Sequence, residues 1–437
     1  MMHALCLVIC WFVCVFSYVE VAAEAGGSPT VLTPSGTIVG SLMTSRRGRS
    51  IHAFRGIRYA EPPIGELRFR LPVLITKYKE EVNATAEGPA CPQDADPGYF
   101  LDEDCLRLNV YKPGNRNSTS LLPVVVYIHA GGYYSVSGRS DVAGPHYLLD
   151  KDLLLVTINY RLGSLGFLST GDAEAPGNNG FKDQVTALRW VKRNIESFGG
   201  DPNCVTLAGY SEGGMSVALH TVSPMSKVVL DNFIYTSLIN SDWYRVSPIA
   251  FMLPSPSDHA AAVLREAYVG NQPLENNKED ARNLGKLYGD AVIGFGVHRL
   301  VNLLSYQSQP TYRFVFEYMG NRSHYEDPAT KKPVGVAHHD ELIYLFSLRV
   351  AFEDIPLSPS LDSVMVDKLT TIVYNFARTG DPNPLWGTSP PTWVPFTPSN
   401  GTHLSISEQY TLGQDWYKER YRIWEQLYPI DYSLASL

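Results

Sequence analysis

The chain has 437 residues, of which 44% are hydrophobic and 18% charged, and its formal net charge at pH 7 is −8. This length and composition suffice for one large α/β domain with a substantial core. The negative net charge disfavours nucleic acid and anionic membranes as partners, because both bind basic patches.

The first residues have the features of a signal peptide. Residues 5–16 form an almost unbroken apolar run, and the small residues Ala22, Ala23 and Ala25 follow it. A basic segment before the run is missing, but the run is shorter than the ~20 residues that a membrane span needs. We therefore expect a signal peptide over residues 1–23 and a secreted mature chain, 24–437, without a membrane anchor.

Short apolar segments and amphipathic segments alternate along the mature chain. Residues 123–128 and 153–158 are continuously apolar, as expected for strands covered on both faces in a parallel sheet. Residues 183–198 carry an apolar stripe at helical spacing, and a short strand at 205–208 precedes a helix at 212–220. This alternation predicts a single α/β domain with a mostly parallel central sheet, flanked by helices and preceded by short N-terminal strands. Further strands are expected at 233–239 and 312–318, helices between 258 and 307, and a helix through residues 365–376 that Gly380 ends.

Three cysteines remain in the mature chain. Cys91 and Cys105 enclose a short loop that suits a disulfide in an oxidising compartment, which leaves Cys204 over. Asparagines in glycosylation sequons agree with secretion; they are Asn83, Asn117, Asn321 and Asn400.

A G-x-S-x-G pentapeptide at residues 209–213 is the clearest motif. It follows a predicted strand and opens a predicted helix, which is the context of a nucleophile elbow centred on Ser211. The motif also occurs by chance, so a second element is needed. The sequence HAGGY at residues 129–133 follows the strand at 123–128, and glycine-rich backbone there can aim N–H groups at a developing oxyanion.

Several longer segments resemble the type-B carboxylesterase/cholinesterase family. FGGDPNCVTLAGYSEGG (198–214) is similar to the segment around the active serine, and EDCLRLNVY (103–111) is similar to a second signature, in which Cys105 belongs to the first disulfide. FRGIRYAEPPIGELRF (54–69) and FARTGDPNP (376–384) also resemble family segments. The resemblance implies an α/β-hydrolase fold, Ser211 as the nucleophile, and an oxyanion hole formed by Gly131, Gly132 and the amide of Glu212.

The catalytic base is expected in GVAHHDELIYLF (335–346), which resembles the family's histidine segment. Register favours His338 over the adjacent His339, because only His338 leaves one residue before Asp340. The acid is less well defined. IYTSLINSDWYRVSPI (234–249) resembles the segment that delivers the acid, and a one-residue slip assigns that role to Asp242, whereas without the slip Trp243 takes the position and the triad is incomplete.

Two departures from the family pattern bear on activity. The residue after the nucleophile is normally small and here is Glu212, whose carboxylate would lie close to the developing negative charge. At ~5 Å and an effective dielectric near 20, two like charges repel by ~3 kcal/mol. In addition, a block on the order of a hundred residues between Ser211 and Asp242 is absent relative to the family.

The resemblance implies a serine carboxylic-ester hydrolase that forms an acyl-enzyme on small or lipophilic carboxylesters. Neither a cofactor nor a metal is implied, and the expected partner is a small-molecule ester rather than an obligate protein. The alternative is a catalytically impaired or inactive esterase-like secreted protein used for binding or adhesion, which Glu212 and the missing block would favour.

Overall fold

The computed structural model describes most of the chain from residue 27 to residue 429. The described residues are 27–95, 98–114, 120–172, 174–222, 243–244, 247, 251, 253–254, 257–270, 272, 274–275, 278–306, 310–327, 330–333, 335–383, 392–415 and 417–429. The expected signal peptide, the strand at 233–239, Asn117 and Asp242 lie outside these residues.

Twelve strands are defined in the described residues. The first four are the short β segments that were expected at the start of the chain. They are β1 (Thr30–Thr33), β2 (Gly36–Val39), β3 (Ser41–Thr44), β4 (Ser50–Arg58), β5 (Val82–Asn83), β6 (Arg107–Pro113), β7 (Leu122–Ile128), β8 (Leu154–Ile158), β9 (Gly200–Gly209), β10 (Phe314–Phe316), β11 (His403–Ile406) and β12 (Tyr410–Gly413).

Nine α-helices connect and cover these strands in the same described ranges. They are α1 (Gly163–Phe167), α2 (Asn179–Asn194), α3 (Glu212–Val222), α4 (Asp258–Tyr268), α5 (Lys278–Gly289), α6 (Phe295–Leu304), α7 (Leu342–Leu345), α8 (Leu361–Thr379) and α9 (Lys418–Leu427). Short 3-10 turns occur at Gly65–Leu67, Leu148–Asp150 and Ile195–Phe198, and a π turn at Asp290–Gly294 joins α5 to α6.

The central sheet has six described strands in the order β3-β4-β6-β8-β7-β9. β3, β4, β6 and β8 pair antiparallel, whereas β7 pairs parallel with both β8 and β9. The parallel part therefore contains the three apolar strands that the sequence predicted. Two three-stranded sheets, β1-β2-β5 and β10-β11-β12, lie beside it.

Strand β7 is buried along its whole length because helices cover both faces of the sheet. Val124, Val126 and Ile128 pack in one core with Trp190 of α2. The alternate residues of β7 pack in a second core with Met365, Val366 and Leu369 of α8. Continuous apolar sequence is the physical consequence of this double coverage.

Helix α8 has the start and stop signals that the sequence predicted. The Ser360 side chain accepts the backbone N–H of Ser363 at 3.2 Å, which satisfies a free donor of the first turn. Gly380 ends the helix in the left-handed region at φ 73°. A separate apolar cluster joins α4, α5, α6 and α9 through Leu264, Leu287, Phe295 and Trp424.

Candidate active site

Ser211 lies on a tight turn between the carboxyl end of β9 and the first residue of α3. Its backbone has φ 51°, a left-handed conformation that is costly for a residue with a Cβ. A Cβ on Gly209 would lie 2.2 Å from the carbonyl oxygen of Gly213, and one on Gly213 would lie 2.1 Å from that of Ile128. Only glycine fits at both positions, so the G-x-S-x-G spacing follows from the packing of this turn.

The glycine-rich loop that follows β7 lies next to Ser211. Ile128, the last residue of β7, pairs with Gly209, the last residue of β9, so the loops leaving the two parallel strands are neighbours. Gly131 and Gly132 have φ 111° and 63°, and a Cβ on Gly131 would lie 2.2 Å from the carbonyl oxygen of Ser135. The loop can therefore turn its amides towards the nucleophile only because both residues are glycine.

His338 is the imidazole that meets the serine. Its Nε2 lies 3.2 Å from the Ser211 Oγ, within reach of a proton transfer. His339 has φ 86° and packs edge-on against Tyr210, with ring centroids 4.7 Å apart, and it also contacts His324. The structure thus brings the ring of His338 to Ser211, and its role as the base stays a prediction.

Asp340 fixes the loop that carries His338. Its carboxylate accepts the hydroxyl of Ser323 at 2.8 Å and the backbone N–H groups of His324 and Ala337 at 3.0 and 2.9 Å. The side chain is buried, so these hydrogen bonds replace the water it would otherwise bind. Asp340 thereby serves the loop structure and does not contact the imidazole of His338 through any of these bonds.

Of the two residues that the sequence places at the position of the acid, Asp242 and Trp243, the structure describes only Trp243. Asp242 lies outside the described residues, and its role stays a prediction. Trp243 is buried, and its indole N–H donates to the carbonyl oxygen of Ala261 in α4 at 2.8 Å. Trp243 therefore belongs to the apolar cluster of α4 and takes no part in holding the base.

The oxyanion loop makes a contact that the sequence did not predict. The backbone N–H of Gly132 donates to Oε2 of Glu212 at 2.9 Å. Burial favours the neutral carboxyl of Glu212, but hydrogen bonds from the amide of Gly132, the Ser211 hydroxyl and the amides of Glu212 and Gly131 lower its pKa below the ordinary value. The amides expected to bind a substrate oxyanion thus converge on a carboxylate of the chain itself.

Tyr210, one residue before the nucleophile, was not among the residues singled out from the sequence. Its hydroxyl contacts Nδ1 of His338 and accepts the backbone N–H of His339 at 2.7 Å. The ring also packs against the ring of His338 at a centroid distance of 4.7 Å. Its place beside Ser211 in the sequence is the signal that could have found it.

Burial tunes the ionisable groups around the serine. It lowers the pKa of His338, while the nearby charge of Glu212 acts in the opposite direction. Burial and the neighbouring His338 lower the pKa of His339 to about 4. Burial raises the pKa of Glu341 to about 7. Burial therefore favours the neutral form of both imidazoles.

The remaining predicted residues lie away from the serine. Cys91 and Cys105 form a disulfide, as expected, and the Sγ of Cys204 donates to the carbonyl oxygen of Ala377 at 3.2 Å. Among the sequons, Asn83 and Asn321 are exposed, and the side-chain amides of Asn321 and Asn400 donate to Asp362 and to the carbonyl oxygen of Pro395. In the parts of the chain that the structure describes, no cluster of three or more His, Cys, Asp or Glu side chains could hold a metal ion. No helix in those parts is both apolar enough and long enough to cross a membrane.

Comparison with known proteins places this chain in a family. The model of the carboxylesterase family matches residues 27–250 and 240–424. Juvenile hormone esterase of Tribolium castaneum is 44% identical over 252 residues, which are 56% of this chain and 42% of that protein. Esterase FE4 of Myzus persicae is 46% identical over 221 residues, which are 49% of this chain and 39% of that protein.

A solved structure shows the same fold. The crystal structure of juvenile hormone esterase from Manduca sexta, with OTFP covalently attached, superposes with a TM-score of 0.77 at 21% identity and covers 92% of this chain and 100% of that one. The alignments to the two curated relatives span about two fifths of the length of those proteins. The fold is that of an α/β-hydrolase, and the chain belongs to the carboxylesterase family.

Proposed function

We propose that this protein is a serine carboxylic-ester hydrolase that forms an acyl-enzyme on small or lipophilic carboxylesters. The observation that carries the proposal is the 3.2 Å approach of His338 Nε2 to the Ser211 Oγ on a strained turn. A hydroxyl within hydrogen-bond reach of an imidazole is the arrangement of an activated nucleophile. The curated relatives named above carry esterase names, which supports an ester as the substrate class.

In this mechanism the Ser211 hydroxyl turns from Glu212 to Nε2 of His338, and Ser211 attacks the ester carbonyl while His338 accepts its proton. Collapse of the tetrahedral intermediate expels the alcohol, which takes the proton from His338, and leaves an acyl group on the serine. Water, activated by the same imidazole, then releases the carboxylic acid. Gly131, Gly132 and the amide of Glu212 stabilise the oxyanion once the Glu212 carboxylate has moved away. The sequence assigns the acid to Asp242, and that assignment stays a prediction because Asp242 lies outside the described residues.

The decisive experiment compares the protein with its Ser211→Ala variant on p-nitrophenyl acetate and p-nitrophenyl butyrate. We expect hydrolysis by the first protein and only background release by the second, and a fluorophosphonate probe should label Ser211 alone, as read by peptide mass spectrometry. Equal rates and absent labelling would refute the hydrolase. The alternative is a binding protein of the same fold, which would show equal rates and no labelling. The hydrogen bond from Gly132 to the Glu212 carboxylate favours this alternative.

We also propose that the protein acts outside the cell. The Cys91–Cys105 disulfide fits an oxidising compartment, and the exposed sequon at Asn83 could carry a glycan there. Expression of the full sequence in insect cells should give protein in the medium whose mass falls on treatment with an N-glycosidase. Retention of all the protein inside intact cells would contradict an extracellular site of action.

A further inference from the structure

The Nδ1 side of the candidate base faces a tyrosine. The hydroxyl of Tyr210 contacts Nδ1 of His338, on the ring edge opposite to the one that meets Ser211. The same oxygen accepts the backbone N–H of His339 at 2.7 Å. The rings of Tyr210 and His338 also pack with their centroids 4.7 Å apart, so the tyrosine contacts both the edge and the ring of the imidazole.

The proton on Nδ1 decides whether His338 can act as a base. A neutral imidazole carries one proton, so Nε2 has a free lone pair for the serine proton only when the proton sits on Nδ1. That tautomer needs an acceptor at Nδ1, and the oxygen of a phenol has two lone pairs. One lone pair of Tyr210 takes the His339 N–H, and the second is available to the Nδ1–H of His338.

Resting on the hydrolase function proposed above, we propose that Tyr210 is a positioning residue for the reaction. Its hydroxyl oxygen accepts Nδ1–H of His338 and so presents Nε2 to Ser211. This is the task that the sequence assigns to Asp242, so in this proposal Tyr210, and not Asp242, holds Nδ1. The phenol thus supplies the orienting contact without a negative charge.

The charges around the pair favour this neutral arrangement. Burial, followed by the nearby Glu341, raises the pKa of Tyr210, so its phenol stays protonated and neutral. Around His338, Glu212 favours the imidazolium and His324 opposes it, while His339 lies next to it as an uncharged ring. Burial lowers the pKa of His338, and a neutral acceptor at Nδ1 offsets this less than a carboxylate would.

Two substitutions of Tyr210 test the contact in the full-length protein, with p-nitrophenyl acetate as substrate and kcat and KM measured from pH 4 to 9. Tyr210→Phe removes one hydrogen bond and should lower kcat about tenfold with little change in KM. Tyr210→Glu places a carboxylate beside the imidazole and should move the acidic limb of kcat/KM upward by about one pH unit or more. Tyr306→Phe, at an exposed tyrosine outside the segments assigned to the site, is the control and should leave both parameters unchanged.

The readouts separate this proposal from the hydrolase proposal. The positioning role would be overturned if Tyr210→Phe had the kcat of the wild type and Tyr210→Glu left the acidic limb of kcat/KM at the wild-type pH. This reading requires that Ser211→Ala is inactive. The positioning role is also refuted if Asp242→Asn abolishes turnover while Tyr210→Phe has no effect, because the acid would then hold Nδ1. If the wild type is no faster than Ser211→Ala, the hydrolase itself fails. In that case the tautomer of His338 still tests the contact, and histidine ¹⁵N NMR shifts report it. Tyr210→Phe should reduce the population of the Nδ1–H tautomer. An unchanged population would contradict the proposed contact.

Discussion

The backbone N–H of Gly132 and the carboxylate of Glu212, the residue after Ser211, are joined by a 2.9 Å hydrogen bond. In the proposed reaction Glu212 therefore competes with the transition state for a donor, besides repelling it. The sequence suggested repulsion alone. The structure adds that the donor is already in use, so the side chain must leave before the hole can act.

Removing this carboxylate should speed the reaction. Glu212→Ala keeps the backbone amide and frees that of Gly132, and one oxyanion donor is typically worth about 10²–10³ in kcat. We expect kcat/KM for p-nitrophenyl butyrate to rise about 10- to 100-fold, and Glu212→Gln to give a smaller rise. Glu196→Ala, at an exposed glutamate in the turn after α2, should change nothing. A Glu212→Ala variant no faster than the wild type would show that the contact does not limit turnover.

The two adjacent histidines should differ sharply in their importance. His338→Ala removes the group 3.2 Å from the serine and should reduce kcat by about 10²–10⁴, the usual contribution of a general base. His339→Ala retains the backbone N–H that binds Tyr210 and should cost far less. Steady-state kinetics of both variants decide the question, and the reverse order of effects would exchange the assignments.

The pH dependence follows from the burial of His338. A base works only in its neutral form, so activity falls as the pH drops through its pKa, and burial lowers that pKa from the ordinary 6.5. We expect the acidic limb of kcat/KM to lie below pH 6.5, with a flat profile from there to neutral pH. A limb above pH 7 would mean that a carboxylate holds the imidazole more closely than the described residues do.

The disulfide should contribute measurably to stability. Cys91 and Cys105 are separated by 14 residues, and closing such a loop restricts the unfolded chain by about 3 kcal/mol in the chain-entropy model. The double variant Cys91→Ser/Cys105→Ser should lose about this free energy of unfolding in urea titrations. Cys204→Ser is the matched control, because that thiol is only partly buried and forms no disulfide. Equal losses in the two proteins would argue against a role for the cross-link.

Much of the fold could be read from the sequence because its signals are local. Continuous apolar runs marked β7 and β8, and Gly380 marked the end of α8. The elbow was also readable, since packing admits only glycine at Gly209 and Gly213. Helix α2 begins at Asn179, four residues before its predicted start. The prediction relied on apolar residues and missed this start, because Asn179 and Gly180 are buried but not apolar.

The contacts of Glu212 and Tyr210 could not be predicted in the same way. Each depends on where a side chain points after residues from distant parts of the chain have met, and Tyr210 and His338 are 128 residues apart. A pattern of residue types carries no direction of that kind. The disulfide was predictable because its partners close a short loop.

The left-handed backbone of Ser211 also has an evolutionary consequence. Glycine would adopt φ 51° without the steric cost of about 1–2 kcal/mol that a Cβ brings, so the nucleophile is held at some expense of stability. A lineage released from the proposed ester chemistry would gain stability by exchanging this serine for glycine. At Ser211, selection for the proposed chemistry therefore favours serine, whereas selection for a stable fold favours glycine.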